Sequence, residues 1–343
     1  MKITNYVSII IPVKNEEKYI RKCINSVLKG SYPTNLIEII VVDGLSEDNT
    51  REIVRELMKD NNNIKLLINL HETVPFAMNM GIKNSKGDII VRLDAHAEYS
   101  DDYIEKCVFL LNKYKADNVG GCIETKNSED TKISRSIAKV LSHKFGVGNS
   151  DFRTLKEEKE VDTVPFGAFR REIFDKVGLY NELLTRNQDI ELNGRIKKNG
   201  GKIILSPEIK CIYYARTNLR SFWVQNYQNG KWNIYTASIA KHSLSIRHFV
   251  PFLFVFSLFL SFLILIYSYE LGILISGLIL IPYLLFSFYF SFSIAKEEKE
   301  LSLIPYLITS FITLHISYGI GSLSGILSVR TFLKKSKSRE GSN

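Results

Sequence analysis

Residues 37–44 read Ile-Glu-Ile-Ile-Val-Val-Asp-Gly, an almost purely apolar run that ends in an acid and a glycine. A run of this length, rich in β-branched residues, predicts a buried strand followed by a turn at Asp43 and Gly44. Residues 88–94, Asp-Ile-Ile-Val-Arg-Leu-Asp, repeat the pattern and end at Asp94. Ligands bind outside the carboxyl ends of the strands in open α/β sheets, so we expect the two acids to meet over one ligand.

A third acid, Asp189, lies in Arg-Asn-Gln-Asp-Ile-Glu at residues 186–191, shortly after Val-Pro-Phe-Gly-Ala-Phe at residues 164–169. A metal-bound diphosphate needs oxygen ligands from a few carboxylates. Three acids at the edge of one predicted sheet therefore favour a nucleotide-sugar site.

Strand-length apolar runs alternate with amphipathic helical segments along the first part of the chain. The predicted strands cover residues 7–11, 37–42, 64–68, 89–93 and 118–122, and helices begin near residues 15, 46, 76 and 103. This alternation predicts an α/β fold with a doubly wound, mostly parallel sheet. Residues 126–160 are charged and too long for a plain connector, so we expect a substrate loop region there.

The character of the sequence changes near Phe249. Apolar runs cover residues 249–267, 271–292 and 303–327, and each reaches or approaches the roughly 20 residues that cross a bilayer. Just before them, residues 216–248 interleave aromatic and cationic side chains, a pattern typical of interfacial helices. About three membrane helices are therefore expected over residues 249–328, with a basic tail at 329–343.

The net charge of +9 fits a protein lying against an anionic leaflet. Nucleic-acid binding is not expected, because the lysines are scattered and no RNA-binding signature accompanies them. The four cysteines are far apart, without the paired spacing of a zinc or redox site. No apolar segment of helical length follows Met1, so we expect a multi-pass protein of the cell membrane with its catalytic part in the cytoplasm.

The expected number of membrane crossings conflicts with the positive charge of the tail. A cytoplasmic start followed by three crossings would place the basic tail outside, against the positive-inside tendency. Either the third apolar segment is re-entrant or interfacial, or the tail breaks the rule, and the sequence leaves the side of the tail open.

Six stretches, taken in order, resemble the family 2 glycosyltransferases with a GT-A fold, and more closely the succinoglycan-type exopolysaccharide branch. These stretches are residues 9–17 (IIIPVKNEE), 41–44 (VVDG), 92–96 (RLDAH), 164–171 (VPFGAFRR), 187–192 (NQDIEL) and 228–232 (QNGKW). The resemblance implies a GT-A-like catalytic domain over residues 1–215, followed by the 216–248 interfacial segment.

The resemblance assigns donor-binding roles to the first two stretches. Pro12 and Val13 would form the turn against which the nucleotide base packs, with Glu16 near the ribose. Asp43 would accept a hydrogen bond from a base N–H. Without the resemblance, Pro12 to Glu16 read as a helix start whose acid complements the helix dipole.

Asp94 and His96 occupy the Asp-x-Asp position of the family, where two acids hold a divalent metal, Mn²⁺ or Mg²⁺, on the diphosphate. His96 replaces the second acid of that pattern. Imidazole binds Mn²⁺ but suits Mg²⁺ poorly, so the identity of the metal is open.

Asp189 matches the general base of inverting family members, with Gln188 where the family usually has Glu, while Glu191 is expected to face the exterior of the helix. Gln228, Lys231 and Trp232 resemble the Gln-x-x-Arg-Trp element of processive synthases, with Lys in place of Arg. They bind either the donor diphosphate or only the membrane interface, and the sequence leaves both possibilities open.

The predicted function is inverting transfer of a sugar from a nucleotide-diphosphate sugar to a lipid-linked or polysaccharide acceptor in cell-surface polysaccharide synthesis, with polysaccharide assembly proteins as further partners. One alternative is a catalytically inactive scaffold of an assembly complex, which the three intact acids argue against. Another is a polyprenyl-phosphate sugar synthase. A nucleotidyltransferase would need a glycine-rich loop after the first strand, and residues 12–17 contain no glycine.

Overall fold

The computed structural model describes residues 5–148 and 157–340. By internal contacts the chain divides into two compact units, residues 1–124 with 151–213, and residues 125–150 with 214–343. The segment 125–150, which the sequence assigns to the catalytic domain, thus groups with the apolar helices. Each unit is described by itself below.

One mixed sheet forms the first unit. Its strands are β1 (Val7–Val13), β2 (Ile37–Asp43), β3 (Ile64–Ile68), β4 (Ile89–Arg92), β5 (Ala97–Tyr99), β6 (Asn118–Lys126), β7 (Lys159–Glu160), β8 (Ala168–Arg170) and β9 (Ile203–Tyr214). The strand order is β3-β2-β1-β4-β8-β6-β9-β5, with β7 paired to β9.

Twelve α-helices accompany the sheet in the described residues. They are α1 (Ile20–Leu28), α2 (Thr50–Asp60), α3 (Val74–Lys83), α4 (Tyr103–Tyr114), α5 (Lys132–Leu141), α6 (Lys144–Val147), α7 (Glu172–Val177), α8 (Gln188–Lys198), α9 (Leu219–Ile239), α10 (Val250–Tyr267), α11 (Tyr269–Glu297) and α12 (Ile304–Glu340). Short 3-10 turns cover Thr34–Leu36, Ile246–Phe249 and Leu301–Leu303.

The central strands are buried on both faces. Ile9 and Ile39 belong to one apolar cluster, which includes Ile24 of α1, while Ile10 and Ile40 belong to a second, which includes Met78 of α3. Side chains alternate across a strand, so helices cover each face of the sheet. This explains why the sequence of β2 is apolar throughout rather than alternating.

The predicted GT-A-like α/β fold is confirmed, and the sheet is mixed. Strands β1 to β4 are parallel, with Val7 of β1 paired to Ile37 of β2 and to Ile89 of β4. Beyond β4 the pairs β4–β8, β8–β6, β9–β5 and β9–β7 are antiparallel. The parallel pairs β1–β2, β2–β3 and β1–β4 lie in the first half of the sheet, where a helix connects each strand to the next.

The second unit is helical. Three of its segments, Ile246–Tyr267, Tyr269–Glu297 and Leu301–Lys334, are long and apolar enough to cross a membrane. Within the region expected to be a substrate loop, residues 132–141 and 144–147 instead form α5 and α6, and residues 149–156 lie outside the described part. Within the expected interfacial segment 216–248, residues Leu219–Ile239 form one continuous helix, α9, and a 3-10 turn begins at Ile246.

Candidate active site

A cleft of about 180 Å³ opens at the carboxyl ends of the parallel strands. It is lined by residues from the loops after β1, β2, β3 and β4, namely Pro12, Val13, Lys14, Glu16, Val42, Gly44, Asn69, Glu72, Thr73, Val74, Ala77, Asp94 and His96. Five of the residues that the sequence singled out, Pro12, Val13, Glu16, Asp94 and His96, therefore surround one space.

Three non-glycine residues in the loops at this edge adopt the left-handed backbone conformation: Asn15 after β1, Leu45 after β2 and Glu72 after β3, with φ of 57°, 57° and 61°. Such conformations persist where surrounding contacts enforce them. The Asn15 N–H donates to Ser46 Oγ at 2.9 Å, and its side-chain oxygen accepts from the Glu47 N–H at 2.8 Å. The first two loops are thus bound to each other, which fixes this wall of the cleft.

Asp43 ends β2 and is completely buried. Its Oδ2 accepts a hydrogen bond from the Ser46 N–H at 3.0 Å and lies 3.8 Å from Arg51 Nε. Its Oδ1 is buried and accepts no hydrogen bond from any residue of the described chain. Val42 and Gly44 line the cleft on either side of it. A buried carboxylate oxygen without a donor is costly, so a ligand N–H that reached it would be stabilised.

Asp94 follows β4 and is held by Arg92, two residues before it. Arg92 Nε lies 3.1 Å from Asp94 Oδ1, and Arg92 Nη2 lies 3.4 Å from Asp94 Oδ2. The Asp94 N–H donates to the buried Tyr99 hydroxyl at 2.8 Å. Two anchors from different positions therefore orient the carboxylate at the rim of the cleft.

His96 is exposed, and its Nδ1 lies 3.0 Å from Glu16 Oε1. The predicted ribose contact and the predicted metal ligand are therefore hydrogen-bonded partners across the cleft. Within residues 5–148 and 157–340, no three His, Cys, Asp or Glu side chains converge as a complete metal-binding group. A cation at Asp94 and His96 would thus need ligand atoms from a bound substrate.

Asp189 lies in the first turn of α8, after Asn187 in the left-handed conformation with φ of 59°. Burial lowers the pKa of the Arg92 guanidinium, whereas Asp94, Tyr180 and Asp189 raise it, and its net pKa lies above the ordinary value. Asp94 and Asp189 therefore lie within electrostatic reach of the same buried cation, although 95 residues separate them in sequence.

The sequence led us to expect Glu191 on the exterior of α8, and this prediction is wrong. Glu191 is buried, and its two carboxylate oxygens lie 2.8 and 2.9 Å from Arg195 Nε and Nη2. Arg195 also donates to the carbonyls of Val177, Gly178 and Leu179. The Glu191–Arg195 pair thus ties α8 to the loop that leads into Tyr180, and its role is structural.

Tyr180 is a further candidate site residue, which the sequence did not single out. It is buried, and its hydroxyl forms no hydrogen bond with the part of the chain that the structure describes. Burial raises its pKa, and the charges of Arg92, Asp189 and Asp94 all act on the phenol. The Tyr180 hydroxyl is therefore neutral, and it feels the charges of the two candidate acids and of Arg92. Its only signal in the sequence is its place just after Gly178, nine residues before Asp189.

Arg92, Glu72 and Thr73 were also not singled out. Arg92 could have been recognised as a charge inside an apolar strand, which requires a partner when buried. Thr73 lines the cleft, and its Oγ1 is buried without a partner among the described residues. Lys14 and Glu72, which also line the cleft, form an ion pair. Glu72 and Thr73 lie in none of the six quoted stretches, so only the fold brings them to the site.

Gln228, Lys231 and Trp232 lie on α9, in the second unit. The Trp232 ring packs edge-on against Tyr235 and Phe332, at centroid distances of 5.2 and 5.9 Å. Lys231 Nζ lies 5.8 Å from the centre of the Tyr235 ring, and Gln228 is half-buried. The described contacts of Trp232 and Lys231 thus serve packing within the helical unit.

Comparison with known sequences identifies relatives along nearly the whole chain. The family model described as glycosyl transferase family 2 matches residues 8–178. A dolichyl N-acetyl-alpha-D-glucosaminyl phosphate 3-beta-D-2,3-diacetamido-2,3-dideoxy-beta-D-glucuronosyltransferase of Methanococcus voltae is 33% identical over 307 residues, 83% of this chain and 94% of that protein. The succinoglycan biosynthesis protein ExoA of Rhizobium meliloti (strain 1021) is 29% identical over 225 residues, 65% and 67% of the two chains.

Solved structures share the fold at lower identity. The mannosyltransferase PcManGT from Pyrobaculum calidifontis, in complex with GDP-Man and Mn²⁺, has a TM-score of 0.60 and 16% identity, covering 91% of this chain and 88% of that one. S. aureus TarS 1-349, in complex with UDP-GlcNAc, has a TM-score of 0.51 and 16% identity, covering 93% and 90%. Together with the family model and the Methanococcus relative, these findings show that the chain belongs to glycosyl transferase family 2 and is a glycosyltransferase.

Proposed function

We propose that this glycosyltransferase moves a sugar, with inversion, from a nucleotide-diphosphate sugar to a lipid-linked or polysaccharide acceptor in cell-surface polysaccharide synthesis. The observation that carries the proposal is the carboxylate of Asp94 in the cleft wall, ion-paired with Arg92, whose guanidinium also feels the charge of Asp189. One of the two acids would act on the donor diphosphate and the other on the acceptor hydroxyl.

The nucleotide part of the donor would occupy the cleft between the β1 and β3 loops. Pro12 and Val13 give the base an apolar wall, and Glu16 supplies an acceptor for the ribose hydroxyls. Asp43 Oδ1 and Thr73 Oγ1 have no hydrogen-bond partner within residues 5–148 and 157–340. The first would accept a base N–H, and the second would be a further polar contact for the nucleotide. Both atoms are buried, so a ligand hydrogen bond would remove a desolvation cost that the free protein bears.

The residues at the diphosphate end fit a divalent cation, Mn²⁺ or Mg²⁺. Asp94 supplies a carboxylate and His96 an imidazole, with Glu16 hydrogen-bonded to His96. This set is incomplete without substrate phosphates, as is usual for catalytic metals on nucleotides. Such a cation would supply Lewis-acid neutralisation of the leaving diphosphate. Arg92 meanwhile holds the Asp94 carboxylate in place.

Asp189 would act as the general base. Its carboxylate takes the proton of the acceptor hydroxyl while that oxygen forms a bond to the anomeric carbon. The bond from the anomeric carbon to the phosphate oxygen breaks, and the nucleoside diphosphate leaves with its electron pair. Because the acceptor oxygen attacks opposite the leaving group, the configuration inverts. The neutral hydroxyl of Tyr180 would donate to a substrate oxygen beside Asp189.

The nature of the acceptor is supported by the relatives and by the apolar helices. The Methanococcus relative is named for a dolichyl-phosphate-linked sugar, and the Rhizobium relative for succinoglycan biosynthesis. Helices long enough to span a bilayer suit an acceptor whose lipid is held in the membrane. We place the protein in the cell membrane as a multi-pass protein, with its catalytic unit in the cytoplasm. Gln228, Lys231 and Trp232 would lie near the membrane interface. Polysaccharide assembly proteins would take up the product.

The proposal is tested with purified protein in detergent and a panel of UDP- and GDP-sugars, offered with polyprenyl-diphosphate-linked GlcNAc or with polyprenyl phosphate. Release of nucleoside diphosphate with MnCl₂, only in the presence of the linked sugar, is the expected result. Transfer to polyprenyl phosphate itself would instead identify a polyprenyl-phosphate sugar synthase. No binding of any nucleotide sugar would favour an inactive scaffold.

A further inference from the structure

The three apolar segments of the second unit differ in how much of their surface the protein covers. In the most apolar 18-residue stretch of α10, and in that of α11, 11% of the residues are buried. In the corresponding stretch of α12, 50% are buried. A helix surrounded by lipid exposes its apolar side chains, as Leu278 and Leu285 of α11 do. Half of the residues in the α12 stretch are instead buried by other parts of the protein, namely α5, α6, α9, α10 and α11.

The beginning of α12 and the turn before it are bound by α5. Lys132 Nζ donates to Ser302 Oγ at 2.8 Å, and Arg135 Nη1 lies 2.8 Å from Glu300 Oε2. Lys139 forms a further ion pair with Glu298. Three cations of one helix thus hold the turn between α11 and α12.

The middle of α12 is bound by α6 and α11. His315 Nε2 lies 3.0 Å from the carbonyl oxygen of Phe145, and its Nδ1 lies 3.0 Å from the Tyr283 hydroxyl. The Phe145 ring also packs against Phe311, with centroids 5.0 Å apart. The short helix α6 therefore lies directly against α12.

The later part of α12 packs along α9. Tyr227 Oη donates to Ser324 Oγ at 2.7 Å, and Tyr235 Oη lies 2.8 Å from Ser328 Oγ. Glycines allow close approach, because a Cβ at Gly230 would lie 2.0 Å from the Tyr318 carbonyl oxygen and a Cβ at Gly321 would lie 2.0 Å from that of Tyr227. These contacts extend over about two and a half turns of α9 and about three turns of α12.

Helices α10 and α11 form an antiparallel hairpin, and α12 meets it near its open end. Ser276 Oγ donates to Ser261 Oγ at 3.0 Å towards the tip. A Cβ at Gly319 of α12 would lie 2.3 Å from the Val255 side chain and 2.4 Å from the Pro251 carbonyl oxygen, at the beginning of α10. From there α12 continues along α9, which precedes α10 in the chain.

Neither α5 nor α9 can lie across the membrane from the catalytic unit. Five residues, 127–131, connect β6 to α5, and four, 215–218, connect β9 to α9. Fully extended, these connections span roughly 18–22 Å, less than the roughly 30 Å hydrocarbon core. The Ala215 N–H also donates to the Lys126 carbonyl oxygen at 2.8 Å, so both helices start from one place.

We propose that only the α10–α11 hairpin crosses the membrane, and that α12 lies along the membrane surface on the same side as the catalytic unit. The segment Leu301–Lys334 is about 51 Å long at 1.5 Å per residue, well beyond the hydrocarbon thickness. A crossing would also carry the Asn226, Asn233 and Lys231 of α9 into the bilayer, where such groups are costly.

This placement removes the conflict over the tail. Two crossings return the chain to the side of the catalytic unit, so Arg330 and Lys334 lie on that side. That agrees with the positive-inside tendency, which three crossings would violate.

The test uses single introduced cysteines and a membrane-impermeant maleimide applied to closed vesicles of known orientation. The variants are Lys59→Cys in the catalytic unit, Ser268→Cys at the hairpin tip, Glu297→Cys near the end of α11 and Lys334→Cys in α12. The native chain is the blank, because three of its four cysteines are buried and burial raises the pKa of Cys23 to about 12. Thiolates are the reacting species, so background labelling should be weak.

Lys334→Cys and Glu297→Cys should react from the same side as Lys59→Cys, and Ser268→Cys from the opposite side. Labelling of Lys334→Cys together with Ser268→Cys would overturn the proposal. A second measurement does not depend on labelling. Leu278→Lys in the hairpin should abolish membrane integration, whereas Ile320→Lys in α12 should leave it at the native level, and equal loss in both would contradict an in-plane α12.

Discussion

The side-chain amide of Asn79 in α3 forms two hydrogen bonds with the main chain of Tyr180. Asn79 Nδ2 donates to the Tyr180 carbonyl oxygen at 2.9 Å, and the Tyr180 N–H donates to Asn79 Oδ1 at 2.9 Å. Both residues are buried, so the backbone of Tyr180 is fixed from one side of the sheet. The phenol that this clamp positions has no partner of its own among the described residues.

Tyr180→Phe should lower sugar transfer without destabilising the protein. Loss of a neutral hydrogen bond to substrate should reduce kcat/KM by about 3- to 10-fold. Because the hydroxyl has no hydrogen-bond partner among the described residues, its removal should leave the Tm unchanged or slightly raised. Steady-state kinetics and thermal unfolding in the same detergent check this. Full activity in the variant would exclude a substrate contact, and a lowered Tm would reveal a structural partner.

Asp43→Asn should weaken nucleotide binding, because it replaces one oxygen of a buried carboxylate by an amide donor. Hydrogen bonds to charged groups contribute about 1.5–3 kcal/mol, which predicts a roughly 10- to 100-fold rise in Kd for the nucleoside diphosphate. Isothermal titration calorimetry measures it. Glu47→Gln, an exposed residue of the same loop, is the matched control. Equal affinities in the two variants would remove Asp43 from the donor site.

His96→Asp should restore the two-acid pattern at the cleft and change the metal preference. Carboxylate oxygens suit Mg²⁺ better than imidazole does. The ratio of activity with Mg²⁺ to activity with Mn²⁺ should therefore rise in the variant, as measured by nucleoside diphosphate release after removal of metal with EDTA. An unchanged ratio would mean that His96 does not contact the cation. Residual full activity in EDTA would contradict metal dependence for both proteins.

Glu38 should make the catalytic unit sensitive to acid. Burial raises its pKa, but hydrogen bonds from Lys65, Ser8 and the Lys86 N–H lower it, and the net pKa is below its ordinary value. A depressed pKa contributes stability above the unfolded value of about 4.3, and this stability is lost as the pH falls through the folded value. Thermal unfolding at pH 7 and at pH 4 should show a smaller drop in Tm for Glu38→Gln than for the native protein. An identical drop in Tm would show that Glu38 does not contribute to the acid sensitivity.

The residues that could be predicted from sequence are those whose chemistry is local. The apolar run before Asp43 and the one before Asp94 predict two buried strands with acids at their ends, and both acids lie there. Long-range pairing could not be read in the same way. The antiparallel strands β5 and β8 are three residues long, too short for a periodic pattern. Tyr180 and Thr73 are site candidates only because the fold buries their hydroxyls, which have no partner in the described part of the chain.

The packing of the second unit was also beyond the sequence. No pattern in the sequence connects the cations of α5, Lys132, Arg135 and Lys139, to their partners. Those partners, Glu298 and Glu300, lie some 160 residues later. Glycines at positions 230 and 321 are unremarkable singly. They acquire meaning only when α9 and α12 are seen to approach through them.

The division of labour between Asp94 and Asp189 is tested most directly by measuring donor binding and sugar transfer on the same preparations of Asp94→Asn and Asp189→Asn. The account predicts that Asp189→Asn binds the nucleotide sugar and Mn²⁺ as the native protein does but transfers about a hundred- to ten-thousand-fold more slowly. Asp94→Asn should lose affinity for donor and metal together. An Asp189→Asn protein that transfers at the native rate, or that loses donor affinity as Asp94→Asn does, would contradict the account.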